Sequence, residues 1–260
     1  MTRIDIELVR RGIFETRNKA QNEIKNKIVY CNNICITKPS FDVSDTDTLE
    51  IKGEKLKYVS RGGLKLEKAI KEFNIDLKDK ILIDIGSSTG GFSDCAIQNG
   101  ILKVYAIDVG TDQFDKNLRL NNKINLYENT DFRSIDNNII NDANIASIDV
   151  SFISVTKLTS KLKELTNLKE IICLIKPQFE CGKEISDKYR GVPLNKEVHY
   201  KVINDVIGSF KENNFYINDL TSSPIRGGNG NIEYLAYFRN DNKKEVNIYD
   251  IVNDTFKEMR

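Results

Sequence analysis

Leu82-Ile-Asp-Ile-Gly-Ser-Ser-Thr-Gly-Gly-Phe92 is the stretch of sequence that decides the fold. An apolar strand, residues 81–85, runs directly into this glycine-containing turn, and a second apolar run, residues 104–107, ends on Asp108. This order of elements is typical of an α/β sheet at the place where it binds the nucleoside part of a cofactor: a strand, a glycine-rich turn, a helix, a second strand and an acid. The glycines let backbone N–H groups approach the ligand, and the acid accepts from ribose hydroxyls. The stretch therefore predicts an α/β fold with a nucleoside-binding turn.

The spacing of the glycines indicates which cofactor this turn binds. Gly86-x-x-x-Gly90-Gly91 differs from the Gly-x-Gly-x-x-Gly of dinucleotide-binding turns, which disfavours an α/β dehydrogenase. Asp84 precedes the first glycine, where we expect the end of a strand to place its carboxylate beside the ligand. S-adenosyl-L-methionine has no pyrophosphate for a helix N-terminus to bind, so these features favour it. A turn that binds no ligand is the alternative interpretation.

The composition limits the classes of protein that the chain can form. With 260 residues, 40% of them apolar, the chain can form one large domain and a small one. No apolar run reaches the ~20 residues of a membrane span, and no signal-peptide pattern opens the sequence. Five scattered cysteines and one histidine predict reduced thiols and no structural metal site. We therefore expect a cytoplasmic protein without a membrane partner.

The first 57 residues predict a small α+β domain. Two short helices are followed by strands near 28–31, 34–36 and 48–51, and the charged stretch at about 52–57 is typical of a linker. Residues 1–40 carry an excess of basic side chains, whereas residues 41–54 carry an excess of acidic ones. A basic segment beside an acidic one indicates a nucleic-acid surface, although charged runs more often only solvate a face.

Strands alternate with helices in the remainder of the chain, which we predict to form one domain over residues 58–260. Such alternation predicts a seven-stranded, mostly parallel sheet covered by helices on both faces. The predicted strands are 80–85, 103–108, 124–128, 145–150, 170–175, about 216–221 and 232–238, and the predicted helices begin after Ser60 and lie near 91–99, 112–118, 154–165 and 196–213.

Charged residues follow several of these strands. Ligands bind at the carboxyl ends of strands in open α/β sheets, and Asp149 and Lys176 stand at equivalent ends of neighbouring strands. A desolvated lysine near a second cation can act as a base near neutral pH, and Lys65 is the candidate second cation. Glu233 opens the last strand and could hold the lysines in place. The alternative for each residue alone is a solvated charge or a structural ion pair, and His199 is interpreted as structural.

Nearly the whole chain carries a series of motifs in a fixed order: Arg3-x-Asp5-x-x-Leu8-Val9-x-Arg11-Gly12, Tyr58-Val59-Ser60-Arg61-Gly62-Gly63-x-Lys65-Leu66, Asp84 to Phe92, Asp149-Val150-Ser151-Phe152, Leu174-Ile175-Lys176-Pro177-Gln178-Phe179-Glu180 and Gly230-Asn231-Ile232-Glu233-Tyr234. With these motifs the chain resembles the TlyA family, historically labelled hemolysin, in which an S4-type RNA-binding domain precedes an S-adenosylmethionine-dependent rRNA 2′-O-methyltransferase domain. This implies a Rossmann-like class I methyltransferase fold with a small N-terminal S4-like α+β RNA-binding domain. It also implies S-adenosyl-L-methionine as cofactor and a cytidine ribose in rRNA of the ribosomal subunits as substrate.

The resemblance implies roles for individual residues. The catalytic set is Lys65, Asp149, Lys176 and Glu233, with Lys176 taking the proton from the ribose 2′-hydroxyl. The implied cofactor contacts are Asp84, Gly86, Ser87, Ser88, Thr89, Gly90, Gly91, Phe92, Asp108, Val109, Asp131 and Asp149. The predicted RNA contacts are Arg3, Arg10, Arg11, Arg17, Lys19, Lys27, Lys38 and Arg61.

Two other classes of function are weighed against this one. A non-catalytic RNA-binding factor for ribosome assembly is disfavoured because all four residues of the implied catalytic set are present. A membrane-active hemolysin is disfavoured because the sequence has neither an apolar span nor a long amphipathic segment with a basic face.

Overall fold

The computed structural model describes residues 1–25, 27–52, 56–242 and 244–258. The chain forms two compact units, residues 1–55 and residues 56–260. Each unit has a hydrophobic core of its own.

The first unit packs two helices on small antiparallel sheets. Its elements are β1 (Thr2–Arg3), α1 (Ile4–Arg10), α2 (Arg17–Lys25), β2 (Val29–Cys31), β3 (Ile34–Cys35), β4 (Asp42–Val43) and β5 (Leu49–Ile51). β2 pairs with β3 on one side and β5 on the other, and β1 pairs with β4. Ile4, Leu8 and Ile24 bury the inner faces of the helices against Val29. The helical spacing of Ile4 and Leu8 places both side chains on the inner face of α1, where they form this core.

The second unit alternates strands and helices. Its first elements are α3 (Gly62–Glu72), β6 (Ile81–Ile85), α4 (Gly91–Gln98), β7 (Lys103–Ile107), α5 (Lys116–Arg119), β8 (Ile124–Tyr127), α6 (Asn137–Ile140), β9 (Ile145–Ile148) and α7 (Thr159–Lys163). The remaining elements are β10 (Glu170–Ile175), α8 (Pro177–Glu180), α9 (Lys183–Lys188), α10 (Lys196–Glu212), β11 (Tyr216–Ser222), β12 (Tyr234–Arg239) and α11 (Ile248–Glu258).

The seven strands form one sheet in the order β11-β12-β10-β9-β6-β7-β8. β6 to β10 are parallel to one another, and β12 runs antiparallel to both of its neighbours. The mostly parallel seven-stranded sheet predicted from the sequence is therefore confirmed. The chain passes from β6 to β7 on one side and later to β9 on the other, so the strand order reverses at β6. Ligands bind outside the carboxyl ends of the strands at such a reversal.

Helices cover both faces of the sheet. Leu66 of α3 and Phe92 of α4 pack on one face, whereas Leu162 of α7 and Phe210 of α10 pack on the other. Each large apolar side chain buried in this way contributes roughly 1.5–3 kcal/mol. The strands are consequently apolar on both sides, as in Ile171 to Ile175, and this is the pattern of a sheet that is buried on both faces.

Two predicted helices differ from the observed ones. The helix predicted over 112–118 begins only at Lys116, because the Asp115 carboxylate accepts hydrogen bonds from the backbone N–H groups of Asn117 and Leu118 and caps the helix there. Residues 154–165 form a 3-10 turn, Val155–Leu158, followed by the short α7, so the single helix predicted there is divided.

Candidate active site

Two lysine–carboxylate pairs lie at the carboxyl edge of the sheet. Lys65 Nζ lies 2.7 Å from Glu233 Oε2, and Lys176 Nζ lies 2.6 Å from Asp149 Oδ1. Lys65, Lys176 and Glu233 are buried, with 8%, 7% and 2% of their surfaces exposed. A buried charge is costly unless it is paired, so each pair holds its two members in place. The four residues implied to be catalytic thus form two ion pairs. One joins Lys65 of α3 to Glu233 beside β12, and the other joins Asp149 after β9 to Lys176 after β10.

The end of β10 brings the two pairs together. Lys176 has an extended backbone, with φ −115° and ψ 96°, and Pro177 is the first residue of α8. Proline suits that position because the first N–H of a helix has no partner within the helix. Ile175 is paired with Tyr234, the first residue of β12, so Glu233 immediately precedes the antiparallel strand, beside the point where β10 ends. Gln178, in α8, donates from Nε2 to Glu233 Oε1 at 3.1 Å.

The Lys176 ammonium has two oxygen partners. It donates to Ser151 Oγ at 3.0 Å, and its short contact with Asp149 Oδ1 is an ion pair without the alignment of a hydrogen bond. Asp149 itself is placed by β9, since its backbone N–H donates to the carbonyl oxygen of Ile85 at 3.0 Å. The geometry leaves the ammonium with further N–H groups for an incoming oxygen.

The glycine turn packs directly against the Asp149 loop. Gly86 has φ of +81°, and a Cβ atom at this position would lie 2.7 Å from the carbonyl oxygen of Asp149. Only glycine meets both conditions, because a side chain is strained at this φ and has no space. Gly91 makes a similar close approach, with a Cβ atom placed 2.3 Å from Ser60 Oγ at the start of the segment that leads to α3.

The residues around the turn fit the ribose of a nucleoside. Asp108 accepts from the backbone N–H of Ser88 at 2.8 Å and from that of Gly110 at 2.7 Å, one bond on each carboxylate oxygen. Each oxygen therefore keeps a lone pair that can accept from a ribose hydroxyl. Ser87 Oγ is buried and has no hydrogen-bond partner among the described residues, which makes it a candidate donor or acceptor for a ligand. Val109 is exposed beside Asp108, as a residue that covers a flat ring would be.

Asp84 differs from the direct ligand contact that the sequence predicted. Its carboxylate is fully buried and accepts from Ser93 Oγ at 2.6 Å and from Ser147 Oγ at 2.9 Å. Burial raises the pKa of Asp84 to about 6, against the lowering effect of the two serine bonds. Asp84 therefore supports the turn from below. Phe92 also lies in the core beneath the turn rather than on its surface.

Asp131 lies after β8 and is engaged with a neighbour in its own loop. Its carboxylate accepts from Arg133 Nη2 at 2.5 Å and caps the 3-10 turn Phe132–Ser134. The Arg133 guanidinium lowers the pKa of this carboxyl. Thr89 and Gly90 complete the glycine turn between β6 and α4.

Four of the arginines predicted to bind RNA hold two buried carboxylates inside the first unit. Asp5 and Glu7 are 0% and 1% exposed. Burial opposes ionisation of Asp5, but its bonds to arginine and to Gln21 hold the pKa at about 2, and the arginines likewise lower the pKa of Glu7 to about 2. The pairs are Asp5 with Arg3 (3.1 Å) and Arg17 (2.8 Å), and Glu7 with Arg10 and Arg11 (2.7 Å each).

These arginines therefore have a structural role inside the first unit, and their contact with RNA stays a prediction. Arg11 also donates to the carbonyl oxygens of Ser44 and Asp47, so it fastens the acidic segment to α1. The other predicted RNA contacts, Lys19, Lys27, Lys38 and Arg61, are exposed.

Sequence reasoning assigned no role to Ser151, Gln178 or Gly227, although the structure brings all three to the lysine–carboxylate pairs. A Cβ atom on Gly227 would lie 2.0 Å from Glu233 Oε1. The signal for Ser151 and Gln178 was their position two residues after Asp149 and Lys176. His199 is buried between Tyr234 Oη and the Pro193 carbonyl oxygen, which confirms its structural interpretation. Burial lowers the pKa of His199 to about 4.

The described part of the chain has neither a metal-binding cluster nor a membrane-spanning helix. Among residues 1–25, 27–52, 56–242 and 244–258, no cluster of three or more His, Cys, Asp or Glu side chains has the geometry to hold a metal ion. Within the same ranges, no helix is both long and apolar enough to cross a bilayer. All five cysteines are free thiols.

Comparisons with known proteins agree with this geometry. Residues 58–240 match the family of FtsJ-like methyltransferases, and residues 2–49 match the S4 domain. YqxC of Bacillus subtilis is 44% identical over 238 residues, which cover 90% of this chain and 84% of YqxC. The 23S rRNA (cytidine-2′-O)-methyltransferase TlyA of Campylobacter jejuni is 38% identical over 241 residues, or 86% of this chain and 94% of that protein. A solved structure from Streptococcus thermophilus, labelled a hemolysin, has 39% identity and a TM-score of 0.76, and covers 98% of this chain and 96% of its own.

Proposed function

The chain belongs to the TlyA family of FtsJ-like methyltransferases with an S4 domain, and from this premise we propose that it is an S-adenosyl-L-methionine-dependent rRNA methyltransferase. The acceptor in this proposal is the 2′-oxygen of a cytidine ribose in ribosomal subunits. The observation that carries the proposal is the set of two buried lysine–carboxylate pairs beside the glycine turn at the carboxyl edge of the sheet. A proton acceptor, a second cation and a nucleoside-binding turn are the three parts that such a transfer needs.

S-adenosyl-L-methionine supplies an electrophilic methyl group on its sulfonium. Asp108 and the residues of the turn, Gly86 to Gly91, would hold its nucleoside, with Val109 and Asp131 at the rim. Asp108 already has its carboxylate fixed by two backbone N–H groups, so no reorganisation is needed when a ribose arrives.

Lys176, in its neutral form, removes the proton from the ribose 2′-hydroxyl. The Nζ atom accepts this proton, and Asp149 and Ser151 keep the resulting ammonium in place. The Lys65 ammonium, held by Glu233, steadies the negative charge that develops on the hydroxyl oxygen. Much of the rate comes from alignment, which can lower a barrier by about 7–11 kcal/mol.

An exposed aromatic ring beside the lysines supports a nucleic-acid substrate. Phe152 is 91% exposed and has φ of +65°, which is unusual for a bulky residue. Its ring lies 5.0 Å from that of Phe179, which in turn lies below the Lys176 ammonium. An aromatic surface of this kind stacks on an unpaired base that has left its helix.

The exposed cations of the first unit supply the remaining RNA contacts in this proposal. Lys19, Lys27 and Lys38 are free of the acidic pairs described above and can approach phosphates. Binding to ribosomal subunits should therefore weaken as salt is added. The working location is the cytoplasm, where ribosomal subunits are found.

The deciding experiment measures transfer of a labelled methyl group from S-adenosyl-L-methionine to unmodified small and large subunits, assayed separately. We expect label on ribose 2′-oxygens, and a loss of about 10²–10⁴-fold in Lys176→Met with cofactor binding retained. Lys78→Met, which changes an exposed lysine before β6, is the matched control. No transfer to either subunit by a folded protein that binds the cofactor would refute the proposal and favour a non-catalytic role in ribosome assembly.

A further inference from the structure

We infer that Gln178 and Gly227 are positioning residues that fix the carboxylate of Glu233, and through it Lys65, in the geometry that methyl transfer needs. The inference rests on the proposed function, because it assigns parts to the same site. It concerns residues that lie against Glu233 on two sides: Gln178 donates a hydrogen bond to its carboxylate, and Gly227 leaves the space that the carboxylate fills.

The amide of Gln178 has a single orientation. Its Nε2 donates to Glu233 Oε1 at 3.1 Å, and a carboxylate can only accept, so the carbonyl oxygen of the amide points elsewhere. That Oε1 atom is buried and has no hydrogen-bond partner among the described residues. A buried carbonyl without a partner is unfavourable, so fold stability alone does not explain a glutamine here. Its amide group is placed to hold the Glu233 carboxylate.

Gly227 forms the wall on the other side of this carboxylate. A Cβ atom at Gly227 would lie 2.0 Å from Glu233 Oε1 and 2.5 Å from Cδ. The backbone does not require glycine, since φ is −69°, a value that any residue adopts. The Gly227 N–H donates to the carbonyl oxygen of Asn231 at 2.9 Å, which keeps the wall in place. The space taken by the Glu233 carboxylate is therefore the reason for glycine at this position.

A methyl group at residue 227 would move the carboxylate rather than unfold the unit. The carboxylate is the far end of a flexible side chain, so it gives way before the backbone does. Such a movement lengthens its 2.7 Å contact with Lys65 and its bond to Gln178. A displacement of about 1 Å in a reacting group can cost on the order of 10²-fold in rate.

Gly227→Ala and Gly228→Ala are a matched pair that tests the inference. A Cβ atom on Gly228 would meet no described atom within 4 Å, and Gly228 lies outside the left-handed region, so alanine fits there. We expect Gly227→Ala to lower kcat on the order of 10²-fold with KM and cofactor affinity nearly unchanged. We expect Gly228→Ala to match the wild type. Thermal unfolding of both variants checks that the fold is kept.

A double variant separates positioning from a general structural effect. If Gly227 acts through Glu233, then Gly227→Ala has no additional effect in a Glu233→Ala background, where no carboxylate remains to be moved. Equal loss of kcat in both backgrounds would overturn the inference.

Substitutions of Gln178 test the other side. Gln178→Met keeps the volume and removes the donor, so kcat should fall while the melting temperature stays nearly constant. Gln178→Glu places a second carboxyl against Glu233, and two adjacent carboxylates repel each other until they share a proton. The kcat of this variant should therefore recover relative to that of the wild type as pH falls. Wild-type kcat in both variants, with pH profiles parallel to the wild type, would contradict the inference. An inactive wild type would instead refute the proposed function.

Discussion

Replacing Asp84 by Asn should change how the stability of residues 56–260 depends on pH. Burial raises the pKa of the folded carboxyl to about 6, whereas an exposed aspartate in the unfolded chain titrates near 3.8. The folded value is the higher one, so the contribution of Asp84 to stability is fully present below pH 3.8 and is lost as pH rises through 6. The interval from 3.8 to about 6 corresponds to about 3 kcal/mol.

Asparagine removes this dependence and keeps the hydrogen bonds. Its side chain can still bond the hydroxyls of Ser93 and Ser147, because a hydroxyl both donates and accepts. We expect the free energy of unfolding of Asp84→Asn, relative to the wild type, to improve by roughly 2.5 kcal/mol between pH 4 and pH 7, because the unfolded carboxyl is already more than half ionised at pH 4.

Urea unfolding followed by tyrosine fluorescence measures this difference. The chain has no tryptophan, and nine of its ten tyrosines lie in residues 56–260, so the signal reports on that unit. Asp205→Asn, which changes an exposed aspartate on α10, is the control and should run parallel to the wild type. Parallel curves for Asp84→Asn and the wild type would refute the reasoning, because they would mean that the buried carboxyl titrates as it does in the unfolded chain.

Three further predictions concern other sites. Burial lowers the pKa of His199 to about 4, below its usual 6.5, so its contribution to stability is present above pH 6.5 and is lost as pH falls through 4. In the same urea assay, the unfolding free energy of His199→Gln should therefore gain up to about 3 kcal/mol relative to the wild type over that fall in pH. A difference that does not change with pH would contradict this. Gly86→Ala should weaken cofactor binding at least about 10-fold by calorimetry, because the close contact with Asp149 strains the turn; wild-type affinity would show that the turn can adjust. Asp5→Asn should destabilise residues 1–55 by about 2 kcal/mol at pH 7, because charge-assisted hydrogen bonds to Arg3 and Arg17 are lost. Faster hydrogen exchange confined to that unit would report the loss. Unchanged exchange would mean that these pairs contribute nothing to the stability of the unit.

The central strands of the sheet could be predicted because they are apolar runs buried on both faces. Ile171 to Ile175 is such a run, and its observed strand, Glu170–Ile175, has the predicted bounds. The short helices α8 and α9 were not predicted. They hold few apolar residues, and α8 exists because Pro177 starts a turn whose side chains bond to residues far away in the sequence, Gln178 to Glu233 and Glu180 to Ser154. No local pattern records such distant partners.

Residue types at strand ends were predicted better than the directions of their side chains. Lys176 and Asp149 were expected at neighbouring strand ends, and the structure places them 2.6 Å apart. Asp84 lies inside its strand, so the alternation of the strand turns its carboxylate away from the surface and towards Ser147. Arg11, which follows α1, shows the same limit, since only the fold brings its guanidinium to the carbonyl oxygens of Ser44 and Asp47.

The last strand of the sheet has a consequence for synthesis of the protein. β12 is inserted between β10 and β11, and the bond from Lys65 to Glu233 joins residues 168 positions apart in the chain. Contacts between such distant residues form late, after the intervening chain is available. During translation, the Lys65 end of the site is made long before the Glu233 end, so a nascent chain holds an incomplete set of charges. Under the proposed function, the growing polypeptide does not methylate the ribosome that makes it. It can transfer a methyl group only after β12 has left the ribosome and paired with β10.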